Sequence, residues 1–283
     1  MKDNVKNIRV RAKAIGKAYE KIINNISYDN VIEENDLKYS RYDSNILDVY
    51  KPNKAKKSII LYIHGGGWIS LDKNLYKPIL LFLANNGYMV FNINYRLAPE
   101  HTVDDMEEDI LNAISYAINY SKRDKVYLMG DSAGAHLASL VTNKLLLDKY
   151  KDNHLKKYII GNLLFYGVFD LTNVRDTHFH DIDTYLSSIV KKDEDKIKYS
   201  PVTYINKNIP RVFISSGEVD KLNVESKEYY NLLKKYDIEV EALIFPKTTL
   251  SAHHSFLNYY TSYACRESMK ALLNFLNKEW LYT

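Results

Sequence analysis

The stretch KVYLMGDSAGAHLASLVTNKL, residues 125–145, decides the fold. It begins with a short apolar run, Lys125 to Met129, typical of a buried strand, and continues from Ala133 with a helical pattern. Between them lies GDSAG at 130–134, the G-x-S-x-G pattern in the strand, turn and helix setting that a nucleophile elbow requires. Side chains two residues before and after Ser132 would collide in such a turn, which explains both glycines. We predict that Ser132 is a nucleophile and that the Ala133 N–H, free at the helix N-terminus, binds an oxyanion.

The segments on either side of this stretch alternate between strand-like and helix-like patterns. An alternating run at 46–50 predicts one strand. Apolar runs too short for a normal helix predict strands buried on both faces of a parallel sheet, at 58–63, 89–93, 125–129, 158–165, 211–214 and 240–245. Periodic patterns predict helices at about 4–24, 74–86, 104–121, 133–149, 223–236 and 258–278. This order predicts a doubly wound α/β sheet.

One long segment interrupts the alternation. Residues 168–200 are polar, aromatic and not periodic, and we interpret them as a small cap inserted over the carboxyl ends of the strands, where α/β sheets bind ligands. The N-terminal helix, within about residues 1–28, would complete this cap. Because the sequence contains no internal repeat and no low-complexity linker, we predict a single domain over residues 1–283.

A second glycine-rich motif, HGGGW at 64–68, follows the strand predicted at 58–63. Its three glycines would let the backbone present N–H groups to the oxygen that gains charge during acyl transfer. A phosphate-binding loop does not fit, because no Lys-Ser or Lys-Thr follows and the G-x-G-x-x-G spacing is absent. We expect Trp68 to line the substrate pocket or to pack in the core. We expect His64 to orient other groups, since it precedes the elbow in the chain.

The general base and its carboxylate partner should follow the nucleophile in chain order. Asp220, after a late strand, is the preferred acid, with Glu218 and Glu225 as weaker candidates, although Asp220 could simply cap the next helix. The base should be one of two adjacent histidines after the last strand, His253 and His254. Residue order alone does not separate these two.

Six motifs occur along the chain in this order: HGGGW at 64–68, NYRLAPEH at 94–101, GDSAG at 130–134, SP at 200–201, GEVDKL at 217–222 and HSF at 254–256. In this combination the chain resembles the hormone-sensitive-lipase-like branch of the α/β-hydrolase esterases, from about residue 46 to the end. The resemblance implies an α/β-hydrolase fold with a mostly parallel sheet flanked by helices and a small cap. It selects His254 over His253. It also implies Asp220 as the acid and three oxyanion donors, Gly66, Gly67 and Ala133.

The sequence departs from this family at three places. Ser255 follows the selected histidine where the family often has glycine, and residues 102–105 lack the proline that often follows the LAPEH motif. The approach to the base at 248–252 is also unusual. These departures do not affect the three catalytic candidates. They concern the cap side of the substrate pocket, so the resemblance does not determine which substrate fits there.

Together these observations predict a carboxylesterase-type serine hydrolase that cleaves short-chain esters, acetyl to hexanoyl, through a Ser132–His254–Asp220 triad and an acyl-enzyme. No metal or other cofactor is needed. The motifs GDSAGAHLA and HGGGW also resemble arylformamidases, which hydrolyse N-formylkynurenine, and a triad does not separate these two reactions. A metal-dependent hydrolase built on the histidines and carboxylates of residues 178–183 is a weaker alternative, as is a non-catalytic binding protein.

Composition restricts the partners and the compartment. The net charge of +4 is spread along the chain without a basic block, so we do not expect nucleic acid to bind. The single cysteine, Cys265, cannot form an internal disulfide, which fits a reducing compartment. The N-terminus lacks the apolar core of a signal peptide, and no apolar run is long enough to insert into a membrane. We therefore expect a soluble, cytoplasmic enzyme that could pair as a homodimer.

Overall fold

The computed structural model describes residues 2–23, 25–55, 58–151 and 153–278, without the side chains of 20–22 and 175–176. Within these residues, eight strands form one sheet. The strands are β1 (Val31–Lys38), β2 (Ile46–Pro52), β3 (Ile59–Ile63), β4 (Met89–Ile93), β5 (Val126–Asp131), β6 (Ile159–Phe165), β7 (Arg211–Gly217) and β8 (Val240–Phe245). Their spatial order is β1-β2-β4-β3-β5-β6-β7-β8. β2 runs antiparallel to β1 and β4, and the neighbours from β4 to β8 are parallel.

Helices cover both faces of this sheet. They are α1 (Lys2–Ile23), α2 (Lys77–Asn85), α3 (Val103–Ser121), α4 (Ala133–Leu146), α5 (Ile182–Ile189), α6 (Asp193–Lys198), α7 (Asn223–Lys235) and α8 (Tyr263–Asn277). One core cluster joins α3, α4 and α7 to the sheet, and a second joins α2 and α8 to the opposite face. In the described part of the chain, no helix combines the length and the apolar character that crossing a membrane requires.

The central strand β3 shows why a continuous apolar run predicts such a sheet. All five of its residues are buried. Successive side chains point to opposite faces, so Leu61 packs in one core cluster and its neighbours Ile60 and Tyr62 in the other. The predicted α/β-hydrolase fold is confirmed. The strand β1 was not predicted, because VIEENDLK is a polar edge strand with much of its surface exposed.

Residues 168–200, here called the insert, connect β6 to β7. They contain α5, α6 and a short 3-10 turn at Val174–Thr177, so the segment predicted as non-periodic holds short helices. The insert meets the N-terminal helix through an Arg11–Asp181 ion pair at 2.7 Å. Residues 1 and 24 of the predicted N-terminal cap element lie outside the described residues.

Candidate active site

The residue predicted as nucleophile stands on the turn between β5 and α4. Ser132 has φ 49° and ψ −117°, a conformation that non-glycine residues rarely adopt. Its N–H donates to the carbonyl of Phe165 at 2.9 Å, and its own carbonyl accepts the N–H of His136 at 3.0 Å. A methyl group added at Gly130 would collide with the backbone of Gly134, and one added at Gly134 would collide with the carbonyl oxygen of Ile63. These contacts explain both glycines of the motif.

The structure brings His254 and Asp220 to this serine. The Oγ of Ser132 lies 3.0 Å from Nε2 of His254, and Nδ1 of His254 lies 2.8 Å from Oδ2 of Asp220. An ionised carboxylate accepts hydrogen bonds only, so Nδ1 carries the proton and Nε2 can accept from the serine hydroxyl. The second oxygen of Asp220 accepts the N–H of Leu222 at 2.9 Å. Asp220 therefore orients the histidine and also caps the turn that precedes α7.

The other candidates for acid and base lie elsewhere. His253 is exposed, and its Nδ1 is 2.7 Å from the carbonyl of His254. Glu218 forms an ion pair with Lys227 at 2.6 Å. Glu225 is buried, accepts the N–H groups of Phe169 and Asp170 at 2.9 Å each, and thereby holds the start of the insert. Burial raises the pKa of Glu225 to about 7.

The glycine-rich loop after β3 is fastened to the elbow by a buried carboxylate. Oδ1 of Asp131 accepts the N–H of Gly65 at 2.8 Å and the hydroxyl of Tyr62 at 2.7 Å, and Oδ2 accepts the hydroxyl of Tyr76 at 3.0 Å. Burial raises the pKa of Asp131 above its ordinary value. Asp131 was not singled out from the sequence, although it is the residue immediately before the predicted nucleophile.

The loop itself adopts backbone that only glycine takes easily. Gly66 has φ 108° and Gly67 has φ 61°, and a methyl group at Gly66 would collide with the carbonyl of Ser70. Within the described residues, no protein acceptor is hydrogen-bonded to the N–H of Gly66, Gly67 or Ala133. These are the three N–H groups that the family resemblance implied as oxyanion donors.

The other two side chains of the HGGGW motif lie in the core. Trp68 is 2% exposed, and its indole Nε1 donates to Nδ1 of His136 at 3.1 Å. Of the two placements expected for Trp68, substrate pocket or core, the structure shows the one in the core. His64 is buried and stacked on Tyr95 with ring centroids 4.5 Å apart, and burial lowers its pKa to about 4.

Aromatic residues of the insert lie over the site. The ring of Phe179 is 4.6 Å from that of His254, centroid to centroid. The ring of Tyr185, on α5, lies so close to Gly67 that a methyl group there would collide with it. The insert therefore contacts both the histidine and the glycine-rich loop.

The residues considered for a metal site are dispersed. The carbonyl of His178 accepts a hydrogen bond from Lys221 at 3.0 Å, and His180 lies 3.2 Å from Asp181, which also pairs with Arg11. Among the residues that the structure describes, no group of three or more histidine, cysteine, aspartate or glutamate side chains is arranged to hold a metal ion.

Comparison with known proteins finds a matching family and relatives that are named as esterases or as a formamidase. The sequence model of the BD-FAE family matches residues 47–235. A probable isoprenylcysteine alpha-carbonyl methylesterase, ICMEL1, of Oryza sativa subsp. japonica is 27% identical over 235 residues, which cover 75% of this chain and 55% of that protein. An acetyl esterase of Salmonella choleraesuis is 28% identical over 231 residues, covering 75% and 69%. A kynurenine formamidase of Danio rerio is 26% identical over 220 residues, covering 72% and 70%. The chain thus spans about half the length of the Oryza sativa protein.

Solved structures show the same fold. Esterase B from Lactobacillus rhamnosis superposes with a TM-score of 0.83 at 21% identity, covering 98% of this chain and 96% of that one. An esterase from Pyrobaculum calidifontis gives a TM-score of 0.77 at 23% identity, covering 95% and 91%. The predicted resemblance to α/β-hydrolase esterases is confirmed, and the matched relatives agree with the prediction of a carboxylesterase-type enzyme.

Proposed function

Because the chain belongs to the BD-FAE family, we propose that it is a serine hydrolase that cleaves short-chain carboxylic esters through an acyl-enzyme. The observation that carries the proposal is the chain of hydrogen bonds from Ser132 through His254 to Asp220. The serine stands at a strained turn beside N–H groups that have no acceptor among the described residues. Acyl transfer needs this combination of activated nucleophile and oxyanion donors.

The reaction follows from the positions of these groups. Nε2 of His254 takes the proton from Ser132 as Oγ attacks the acyl carbon, and Asp220 stabilises the imidazolium that results. The N–H groups of Gly66, Gly67 and Ala133 bind the oxyanion of the tetrahedral intermediate. The imidazolium then gives its proton to the departing alcohol, leaving an acyl-serine. Water, deprotonated by His254, attacks that ester and releases the carboxylic acid and the free serine.

The insert and α1 would form a cap that limits the acyl group. Phe179 and Tyr185 lie against His254 and Gly67, so a bound acyl chain has to fit beside aromatic rings. The ion pair between Arg11 and Asp181 ties α1 to the insert. The acetyl esterase among the relatives supports a short acyl group for this chain as well.

A formamidase is the second candidate. The relative from Danio rerio is named kynurenine formamidase, and the motifs GDSAGAHLA and HGGGW resemble arylformamidases. A formamide carbonyl is attacked by the same serine and needs the same oxyanion donors.

One substrate series separates the two candidates. The kcat/KM should be measured on 4-nitrophenyl esters from acetate to decanoate and on N-formylkynurenine, with Ser132→Ala as the blank for each substrate. The proposal predicts the highest values for acetate to hexanoate. A higher value for N-formylkynurenine would favour the formamidase, a maximum at decanoate would overturn the short-chain assignment, and no hydrolysis of any substrate would overturn both.

A further inference from the structure

A buried histidine joins three parts of the proposed site. His136 lies one turn into α4 and is completely buried, and its backbone N–H donates to the carbonyl of Ser132 at 3.0 Å. Its ring Nδ1 accepts the indole N–H of Trp68 at 3.1 Å. Its Nε2 is 2.7 Å from the carbonyl of Tyr199. No step of the proposed reaction uses this side chain.

The two partners fix the protonation state of the ring. An indole N–H can only donate and a carbonyl can only accept, so Nδ1 is unprotonated and Nε2 carries the hydrogen. A doubly protonated ring would face the indole N–H of Trp68 with a second donor. Burial favours the neutral ring as well, because it lowers the pKa of His136 to about 4.

The two partners belong to different elements of the site. Trp68 directly follows Gly67, and the indole and the imidazole meet edge to face with centroids 5.1 Å apart. Tyr199 directly follows α6, the last helix of the insert, and its hydroxyl bonds Asp104 at 2.9 Å. One imidazole therefore connects the helix of the nucleophile to the glycine-rich loop and to the end of the insert.

The loop needs such an anchor. Gly67 and Trp68 have φ of 61° and 64°, and a tryptophan in this left-handed region is strained. Strained backbone persists only where the surroundings hold it. The indole is held by its bond to His136, and the Trp68 carbonyl accepts the N–H of Ala98 at 2.9 Å.

We propose that His136 is a positioning residue that holds the Gly67 N–H in its oxyanion-binding place through Trp68, while its other nitrogen holds the end of the insert. This inference rests on the proposed function. It predicts that loss of each of the two hydrogen bonds of the ring changes a different kinetic constant. Loss of the Trp68 bond should lower kcat, because the oxyanion forms after binding, whereas loss of the Tyr199 bond should act on KM through the insert.

Two conservative variants separate the bonds. In His136→Asn the amide oxygen can replace Nδ1 as acceptor for Trp68, whereas in His136→Gln the longer amide can replace Nε2 as donor to Tyr199. With 4-nitrophenyl acetate, we expect the Gln variant to lose about tenfold more kcat than the Asn variant. Trp68→Phe should reproduce the kcat loss of the Gln variant, and combining these two should cost no more than either alone.

Equal kcat values for the Asn and Gln variants, or multiplying losses in the double variant, would overturn the inference. Thermal unfolding and titration of active serine with a phosphonate correct each kcat for misfolded protein.

A readout without catalysis keeps this test separate from the proposed function. The indole N–H signal of Trp68, assigned by its absence in Trp68→Phe, should exchange slowly with solvent in wild type and in the Asn variant and faster in the Gln variant. Equal exchange in all three would contradict the bond even if the wild type hydrolysed no ester.

Discussion

The ring of Phe179 lies against the ring of His254, with centroids 4.6 Å apart and planes inclined at 63°. Phe179 comes from the insert, whereas His254 lies on the loop that follows β8. Phe179 is half-buried, so part of its surface remains available to a ligand. The space beside the proposed base is therefore bounded by the insert, which makes the insert the part of the chain that should select the acyl group.

Replacing this ring should change the chain-length preference. Phe179→Ala removes the side chain next to His254, so we expect the ratio of kcat/KM for octanoate over acetate to rise roughly tenfold. Measurement on 4-nitrophenyl esters checks this. Ile197→Ala is the matched control, because Ile197 lies in the same insert and is 58% exposed. An unchanged ratio in Phe179→Ala would show that this ring does not set the chain-length preference.

The carboxylate of Asp220 should be needed for its charge as well as its place. Asp220→Asn keeps the size of the side chain but cannot hold His254 in the same tautomer, so kcat should fall by about 10⁴. Glu218→Gln is the control, since Glu218 pairs with Lys227 on the surface, and its kcat should stay near the wild-type value. Steady-state kinetics of both variants give the comparison. A large loss in Glu218→Gln with little loss in Asp220→Asn would reverse the assignment.

A methyl group on the glycine-rich loop should impair catalysis. Gly67→Ala places the methyl against the ring of Tyr185 at a residue with φ of 61°, so the loop has to move. Displacing one oxyanion donor should lower kcat by about 10². Gly16→Ala on α1 is the control, because a methyl there meets nothing, and it should stabilise the helix by about 0.5–1 kcal/mol. A wild-type kcat for Gly67→Ala would argue against this loop as the oxyanion site.

Two buried histidines should make the fold sensitive to acid. Burial lowers the pKa of both His64 and His136 from 6.5 to about 4, so the unfolded chain binds protons more readily between these values. The free energy of unfolding is therefore highest above pH 6.5, where both rings are neutral in the folded and the unfolded chain. As the pH falls towards 4, it decreases by roughly 3 kcal/mol for each ring. Urea unfolding at several pH values measures this free energy. The decline between pH 6.5 and 4 should be shallower in His136→Asn, and parallel curves for wild type and variant would contradict the assignment.

Sequence reasoning located the sheet because buried parallel strands leave a strong local signal. Strands β4 and β8 begin and end at the predicted residues, and β5 starts one residue later than predicted. The edge strand β1 was not predicted because half of its residues are exposed and most of them are polar. The helices of the insert were not predicted because they are short: α5 has eight residues and α6 has six.

The candidate site was predictable only where chemistry constrains residue type and spacing. The elbow glycines follow from close backbone packing at Ser132, and the structure places Asp220 and His254 beside it. The roles of Asp131 and His136 depend on partners far away in the chain, among them Tyr62 and Tyr199. The sequence left two placements open for Trp68, and the bond that decides between them, to a residue on α4, has no local signal.

The most direct test of the central claim is to label the nucleophile. A 4-nitrophenyl alkylphosphonate with a short chain should react once per molecule, release 4-nitrophenolate and leave a stable phosphonate ester on the serine oxygen. Peptide mass spectrometry should place this adduct on Ser132 in the wild type, with no adduct in Ser132→Ala and much slower labelling in His254→Asn. Labelling at another residue, or equal labelling of Ser132→Ala, would contradict the assignment of Ser132 as the nucleophile of this hydrolase.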